Sequence, residues 1–331
     1  MDRATRQALL LDGWPEFLST PPRARREIAF PALFASLAAP RMFNDLGPII
    51  DEFEPDVMLH EPCEMATVPL ATARGIPHVA IGFGCFVSEK LLNSAAAPLR
   101  ELWDRVDQAP LPAAGLYEHL YLHPFPASLA GPPPSTTVRR VRPTAFDGGV
   151  GEPPPWVGTL GADRPAVYIT FGTELGGVAP WPELFDAVAG LDIDAVVTVG
   201  SNFDRTRLAS VPSNVRVEDY VPQRYLMARA GAVISHAGSG TLIGTAIAGL
   251  PHVCLPFAAD QFENADALAA TGAGITIEPA DIEADRIADA VRRALEDDRV
   301  AEAAAALAGD FQHLPDLSQA ATDIESIGAV A

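Results

Sequence analysis

A glycine-rich turn in the second half of the chain has the residue types and position of an anion-binding loop. The turn reads HAGSGT over residues 236–241; it follows the short apolar run 232–235 and precedes a predicted helix at 242–249. Glycines between a strand and a helix let backbone N–H groups approach an anion closely, and the helix dipole adds its positive end. Asp260 and Gln261 follow the next apolar run, so both groups lie beyond strand ends, where parallel sheets bind ligands. The pattern predicts a site for a phosphate-bearing ligand.

The elements that would position this turn alternate between strand and helix along most of the chain. Strands are predicted at 56–60, 78–83, 121–125, 166–171, 195–200, 215–221, 232–235, 252–257 and 275–277. Helices are predicted at 23–39, 44–53, 63–74, 88–106, 285–295, 300–307 and 317–327, in addition to the helix after the turn. Apolar strands joined through helices indicate parallel sheets, so the predicted fold class is α/β.

The composition describes a globular chain with a strongly acidic surface. Its 331 residues carry 43 acidic and 23 basic side chains, which gives a net charge of −20. Such a surface repels nucleic acid and anionic lipid, so neither is an expected partner. Cys63, Cys85 and Cys254 show no metal-ligand spacing, and no apolar run reaches membrane-spanning length. We therefore expect a soluble, cytoplasmic protein with no metal site, no bound cofactor and no membrane insertion.

A proline-rich region divides the chain. Residues 124–164 include two proline triplets, at 132–134 and 153–155, and such stiff, extended segments suit a connection between domains. The sequence therefore predicts one domain at 1–145 and a second at 146–331, the latter ending in C-terminal helices.

Four loops that follow predicted strands of the second domain would meet at one edge of its sheet. They are 172–173, 220–223, 236–241 and 260–261. In this order and spacing they resemble the donor half of the GT-B glycosyltransferases, which transfer sugars from nucleotide sugars to small molecules. The segment H-A-G-S-G-T…G-L-P…L-P-F-A-A-D-Q-F-E-N-A is close to the signature of the bacterial antibiotic and macrolide enzymes. The resemblance implies two Rossmann-like domains that face each other across a cleft, with a nucleotide sugar as co-substrate.

The resemblance also implies a role for each loop. The residues that would bind the diphosphate are Gly172, Thr173, His236, Gly238, Ser239, Gly240 and Thr241. The nucleobase and ribose would lie against Tyr220, Val221 and Gln223. Asp260 and Gln261 would bind sugar hydroxyls, since a carboxylate and an amide both accept hydrogen bonds from vicinal hydroxyl groups.

The sequence departs from the family pattern in two places. Plant members carry a glutamate that binds both ribose hydroxyls in the helix after the turn, whereas residues 242–245 here read LIGT. This difference favours a thymidine nucleotide, which lacks the 2′-hydroxyl group. The family also opens with a strand and a glycine–histidine loop that supplies the general base, and no such loop precedes residue 50. Glu61 matches the acidic residue that orients this base.

We therefore expect an incomplete acceptor domain, with the base missing and an open edge at the strand over 56–60. The functional hypothesis is an inverting, metal-independent glycosyltransferase that moves a (deoxy)sugar from a dTDP- or UDP-linked donor to a hydroxyl group of a small acceptor, such as a polyketide or macrolide aglycone. Two alternatives stay open, a GT-B nucleotide-sugar epimerase and a non-catalytic nucleotide-sugar-binding partner protein. A protein partner or a homo-oligomer is compatible with this hypothesis.

Simpler roles are also open for several of these residues. His236 and Tyr220 could be core residues, and Asp260 could cap the helix that follows it. The 172–173 loop could be an ordinary turn, and Glu61 could be a solvated turn carboxylate.

Overall fold

The chain folds into two units, and each unit is built from more than one segment of the sequence. The computed structural model describes residues 12–144, 152–173, 175–208 and 210–329. Unit 1 consists of the described residues of Met1–Phe125, Pro132–Arg142 and Leu314–Ala331, and unit 2 consists of those of Pro126–Gly131 and Pro143–His313. The predicted boundary at residue 145 lies outside the described residues. The last segment of the chain returns to unit 1, whereas the sequence analysis had assigned it to the second domain.

Unit 1 contains a four-stranded parallel sheet. Its strands, in spatial order, are β1 (Met58–His60), β2 (His78–Ile81), β3 (Leu120–His123) and β4 (Val138–Arg140). All three neighbouring pairs are parallel. Strand β4 corrects the sequence analysis, which treated this proline-rich region as a connection: Val138 pairs with Tyr121, and a three-residue strand with two arginines lacks a strand-like pattern. Strand β1 is the outermost of the four described strands, at the edge predicted to be open.

Helices cover this sheet and close its core. They are α1 (Arg25–Ala29), a π-helical stretch (Phe30–Ala38), α2 (Ala39–Phe53), α3 (Thr67–Arg74), α4 (Glu89–Ser94) and α5 (Ala96–Arg105). The predicted helix over 88–106 is divided at Ala95 into α4 and α5. The core contains Phe30, Leu92, Leu99, Trp103 and Tyr121, all at most 2% exposed.

Unit 2 contains a six-stranded parallel sheet with a reversal in strand order. Its strands are β5 (Ala166–Thr170), β6 (Asp194–Thr198), β7 (Val215–Glu218), β8 (Ala232–Ser235), β9 (His252–Cys254) and β10 (Gly274–Thr276). Their spatial order is β10-β9-β8-β5-β6-β7, so the direction of winding changes between β5 and β8. Every predicted strand of this half is present, most of them shorter than predicted because the strand ends continue as loops.

The helices of unit 2 follow the strands as expected for a doubly wound fold. They are α6 (Ala127–Ala130), α7 (Trp181–Ala189), α8 (Gln223–Met227), α9 (Ser239–Ile247), α10 (Gln261–Thr271), α11 (Ala284–Glu296) and α12 (Asp298–Gln312). The core on one sheet face includes Ile169, Leu184, Val197, Ile234 and Val291, each 0% exposed.

The last helix, α13 (Leu317–Gly328), packs on unit 1. Its Ala320 lies in a buried cluster with Val79 and Leu122, and the Arg142 N–H donates to the Pro315 carbonyl at 2.7 Å. In the described part of the chain, no helix is long and apolar enough to cross a membrane.

Candidate functional site

A cavity of about 180 Å³ lies at the carboxyl ends of β5, β6 and β7, beside the start of α9. Half of the predicted donor-binding residues line it, namely Gly172, Thr173, Tyr220, Val221, Gln223 and Thr241. The cavity adjoins the reversal in strand order between β5 and β8, the position at which open parallel sheets bind ligands. Loops that are distant in sequence therefore meet at one place.

Helix α9 presents its free end to this region. It begins at Ser239, three residues before the predicted start, and its N-cap residue Gly238 has no side chain to accept a hydrogen bond. The N–H groups of Ser239, Gly240 and Thr241 belong to the first turn, so they have no partner within the helix. These donors and the helix dipole suit an anionic group.

The His236 ring packs against glycines on two sides of the turn. A Cβ atom at Gly172 would lie 3.4 Å from His236 Cε1, and one at Gly238 would lie 2.3 Å from His236 Nε2. The ring position therefore requires glycine at residue 238. Burial lowers the pKa of His236 to about 4, although the Asp260 carboxylate and the Thr170 carbonyl act in the opposite direction. The imidazole is neutral near pH 7 and offers one donor and one acceptor.

Asp260 links the start of α10 to the glycine turn. Its Oδ2 accepts hydrogen bonds from Ser239 Oγ at 2.8 Å and from Asn264 Nδ2 at 2.9 Å. Asp260 is the N-cap residue of α10, yet its side chain makes no capping hydrogen bond. The alternative that this carboxylate caps the helix is therefore wrong.

The two members of the predicted sugar-binding pair have different local contacts. Gln261 is 6% exposed, and its Oε1 accepts hydrogen bonds from the N–H groups of Phe257 at 2.8 Å and Ala258 at 3.0 Å. The Gln261 carbonyl thus holds the loop after β9, which leaves the Nε2 amide as the group of this side chain that can contact a ligand.

A chain of hydroxyl groups forms part of the cavity lining. The Tyr168 hydroxyl lies 2.9 Å from Thr198 Oγ1, and Thr198 donates to Thr170 Oγ1 at 3.0 Å. The Gly172 N–H also donates to Thr170 Oγ1, at 3.3 Å. Thr170 Oγ1 thus accepts from both groups, and Thr170 is one of the residues that line the cavity.

The sequence analysis missed these lining residues. They are Tyr168, Thr170, Thr198, Gly200 and Asp219. A signal was present for two of them, because Thr170 and Thr198 are polar residues that directly follow apolar strand residues, at the strand ends where a parallel sheet binds its ligands. Asp219 directly precedes the predicted loop, and its Oδ1 accepts a hydrogen bond from Arg205 Nε at 2.7 Å.

The 220–223 loop contains one exposed residue and one buried residue next to each other. Tyr220 is 55% exposed at the cavity, so the alternative of a core tyrosine is wrong. Val221 is 3% exposed and packs in a cluster with Tyr168 and Leu226.

In unit 1, Glu61 follows β1 directly. Its Oε2 accepts a hydrogen bond from the Cys63 N–H at 2.6 Å. Partial burial raises the pKa of Glu61, and the nearby Glu64 carboxylate acts in the same direction, although the hydrogen bonds of Cys63 lower it. His60 Nδ1 lies 3.2 Å from the backbone carbonyl oxygen of Glu61, and among the described residues no hydrogen bond joins a histidine ring to the Glu61 carboxylate.

The two histidines nearest to Glu61 in sequence and sheet form an internal pair. His60 Nε2 lies 3.0 Å from His78 Nδ1, and the two residues are 7% and 1% exposed. Burial lowers the pKa of His78 to about 3, and burial also lowers the pKa of His60. Both rings therefore act as neutral packing groups at pH 7.

A known protein family matches part of the second half of the chain. Residues 182–327 match the family described as Erythromycin biosynthesis protein CIII-like, C-terminal domain. The resemblance to antibiotic and macrolide glycosyltransferases is thus confirmed.

Relatives of the chain are named sugar transferases. The chain is 31% identical over 248 residues to L-demethylnoviosyl transferase of Streptomyces niveus, a match that covers 72% of this chain and 62% of the relative. It is 29% identical over 290 residues to 10-deoxymethynolide desosaminyltransferase of Streptomyces venezuelae, covering 80% of this chain and 66% of the relative. The chain thus spans less than two thirds of the length of these curated relatives.

Solved structures share the fold. Spinosyn rhamnosyltransferase SpnG complexed with thymidine diphosphate matches with a TM-score of 0.77 and 22% identity, over 98% of this chain and 82% of that one. At this identity the match shows the fold alone, which is GT-B. The predicted α/β fold class with two parallel-sheet domains is therefore confirmed.

Proposed function

We propose that this chain binds a nucleotide sugar in the cavity of unit 2 and transfers its sugar to a hydroxyl group of a small acceptor, such as a polyketide or macrolide aglycone. The observation that most supports this proposal is the convergence of Gly172, Gln223 and Thr241 on one cavity beside the free end of α9. Its donors and its position suit a nucleoside diphosphate.

In this proposal the diphosphate lies at the first turn of α9, and the sugar lies toward Asp260. The acceptor oxygen attacks the anomeric carbon from the side opposite the diphosphate, the bond from that carbon to the phosphate oxygen breaks, and its electron pair goes to the diphosphate. A general base takes the acceptor proton. N–H groups of α9 and the Thr241 hydroxyl stabilise the leaving group without a metal ion. The configuration at the anomeric carbon is inverted.

The nucleotide is proposed to be dTDP, with UDP as the alternative. Residue 244 is a glycine, so no side chain of α9 reaches a ribose hydroxyl from this position. In its place Gln223 Nε2 lies 3.1 Å from where a Cβ atom of residue 244 would be. A 2′-hydroxyl group would find no carboxylate here to accept its hydrogen bond. Because dTDP lacks this hydroxyl group, it loses no such bond. We expect dTDP to bind at least as tightly as UDP in a competition titration.

The experiment that tests the proposal is calorimetry with dTDP and with a dTDP-sugar. Asp260→Ala is expected to weaken the dTDP-sugar about ten- to a hundredfold, because a charged hydrogen-bond partner contributes about 1.5–3 kcal/mol. Free dTDP should lose much less. Asp192→Ala, at a side chain that is 90% exposed, is the matched control. Absence of dTDP binding by the unaltered chain would contradict the proposal.

A second candidate function is nucleotide-sugar binding without catalysis, as a partner of another protein. The observation that favours it is the environment of the Glu61 carboxylate, which accepts from the Cys63 N–H and, in the described part of unit 1, has no hydrogen bond to an imidazole. General-base assistance typically accounts for about 10²–10⁴-fold in rate. Donor binding together with only residual transfer to a hydroxylated acceptor would favour this candidate.

A further inference from the structure

The residue at the centre of the glycine turn has an unfavourable backbone conformation. Ala237 has a φ of +61°, in the left-handed region that a side chain with a Cβ atom rarely adopts. It is 0% exposed and lies between His236 and Gly238. Such a conformation costs about 1–2 kcal/mol, so it persists only where neighbouring groups hold it.

Two buried side chains hold the N–H of this residue. Ser235 Oγ accepts a hydrogen bond from the Ala237 N–H at 3.0 Å, and the same oxygen lies 2.7 Å from His252 Nε2. Ser235 and His252 are both 0% exposed, so water does not compete for these bonds. Burial keeps His252 neutral, since it lowers the pKa of this histidine to about 3. Ser235 and His252 resemble a catalytic pair in composition, but their burial rules out contact with a substrate.

A third side chain holds the carbonyl of the same residue. Asn264 Nδ2 lies 3.1 Å from the Ala237 carbonyl oxygen, 3.1 Å from Ser239 Oγ and 2.9 Å from Asp260 Oδ2. Both polar groups of the Ala237 backbone are therefore bound to side chains from other elements: the N–H to the end of β8 and the carbonyl to α10. The bonds fix the residue that directs the chain into α9.

We propose that Ser235, His252 and Asn264 are positioning residues that hold Ala237 in its left-handed conformation and thereby aim the first N–H groups of α9 at the diphosphate. The ligand part of this inference rests on the proposed nucleotide site. In this proposal the three residues touch no ligand: Ser235, supported by His252, acts on the Ala237 N–H, and Asn264 acts on the Ala237 carbonyl and on the Ser239 and Asp260 side chains. Loss of any one of them releases a strained residue rather than a binding group.

Glycine at residue 237 provides the decisive test, because glycine adopts a positive φ without strain. Ser235→Ala should weaken dTDP binding about tenfold, as expected from release of about 1–2 kcal/mol of strain. Thymidine, which has no phosphate, should bind both proteins equally. The double variant Ser235→Ala/Ala237→Gly should bind dTDP within about threefold of the unaltered chain. Ser94→Ala, at an exposed residue of unit 1 whose hydroxyl donates to the Leu91 carbonyl, is the control.

A ligand-free measurement keeps the inference separate from the proposed function. In guanidinium unfolding, Ala237→Gly should raise the midpoint of the unaltered chain, where the strain is held, more than it raises that of the Ser235→Ala protein, where the strain is already released. The inference is overturned if glycine has the same effect in both backgrounds, or if Ser235→Ala weakens thymidine and dTDP equally. If the unaltered chain binds no dTDP while the unfolding cycle shows this coupling, the proposed function fails and the assignment of the positioning residues stands.

Discussion

Units 1 and 2 each place a histidine at the carboxyl end of a parallel strand, beside a second, buried histidine. In unit 1 the residue is His60, which pairs with His78 and is followed by a glutamate and a proline. In unit 2 it is His236, which neighbours the buried His252 and is followed by a turn with two glycines. The first pair is part of a packed interior, whereas the second adjoins a loop that lines a cavity.

The two histidines differ in the backbone that follows each strand. Glu61 and Pro62, which follow β1, are not glycines, and the His60 ring satisfies its Nε2 within unit 1. Gly238 lets the His236 ring lie directly over the turn, with N–H groups of α9 beside it. A histidine at a strand end is therefore evidence of a site only together with the turn that follows it.

The largest effect is expected from adding a side chain at Gly238, where the turn packs against the His236 ring. Gly238→Ala would place a Cβ atom 2.3 Å from His236 Nε2, so the ring or the turn has to move. Overpacking of this kind costs about 1–3 kcal/mol, and we expect dTDP affinity to fall up to about a hundredfold.

Gly309→Ala in α12 is the control for this change, because a Cβ atom there would meet nothing within 4 Å. Calorimetry measures both variants. Unchanged dTDP affinity in Gly238→Ala would mean that the turn does not bind the nucleotide, and it would remove the contrast between the two units.

The next largest effect is the decrease in the free energy of unfolding in acid, which tests the buried pair His60 and His78 of unit 1. The pKa of His78 is lowered by burial to about 3, below its ordinary value of 6.5, so the unfolded chain binds a proton more readily. Above pH 6.5, His78 does not reduce the free energy of unfolding, and this free energy then decreases as the pH falls from 6.5 toward 3. At pH 5 this histidine alone reduces the free energy of unfolding by about 2 kcal/mol.

Guanidinium unfolding at pH 7 and pH 5 measures this loss. His78→Asn should flatten the pH dependence of the unfolding free energy, and His313→Asn, at an exposed position, should leave it unchanged. Equal slopes in the unaltered chain and in His78→Asn would show that the His78 ring is not buried as a neutral group.

A smaller effect is expected from the hydroxyl chain of unit 2. Thr170→Val removes a hydroxyl group from the cavity lining and takes away the acceptor of the Gly172 N–H. Since a neutral hydrogen bond contributes about 0.5–1.5 kcal/mol, dTDP affinity should fall about three- to tenfold. Thr170→Ser keeps the hydroxyl group and should bind as the unaltered chain does. A serine variant as weak as the valine variant would assign the effect to packing of the methyl group.

Local patterns in the sequence predict much of unit 2. Apolar runs such as 232–235 are strands because both faces of a parallel sheet are buried, and glycines mark the turn before α9. The cavity lining outside the loops was harder to predict, since Thr170 and Thr198 become neighbours only when β5 and β6 pair in register. Local patterns do not predict the return of α13 to unit 1 either, because this return depends on which sheet face Ala320 covers.

The contacts of single side chains were less predictable still. Asp260 at the start of a helix suggests a cap, and only the fold shows that it reaches Ser239 instead. Ser235 and His252 are distant in sequence, and they look like ordinary strand residues until β8 and β9 are paired. Sequence patterns therefore locate the turn, whereas the network that supports the turn depends on tertiary pairing.

The smallest expected effect compares one helical glycine from each unit. Gly47 lies within α2, where a Cβ atom would meet Leu70 Cδ2 at 3.8 Å, an ordinary contact. Gly244 lies within α9, where a Cβ atom would meet Gln223 Nε2 and Met227 Sδ at 3.1 Å each. Alanine in a helix interior stabilises the fold by about 0.5–1 kcal/mol relative to glycine.

We expect Gly47→Ala to raise the thermal midpoint and to leave dTDP affinity unchanged. Gly244→Ala should raise the midpoint less, because Gln223 and Met227 have to shift by a few tenths of an ångström, and Gln223 lines the cavity. A shift of that size should weaken dTDP about two- to threefold, which corresponds to about 0.4–0.7 kcal/mol. Parallel thermal unfolding and calorimetry measure both variants. If Gly244→Ala gains as much stability as Gly47→Ala and binds dTDP equally well, Gln223 is free to move away from the nucleotide, and the tight packing of α8 against α9 has no part in binding.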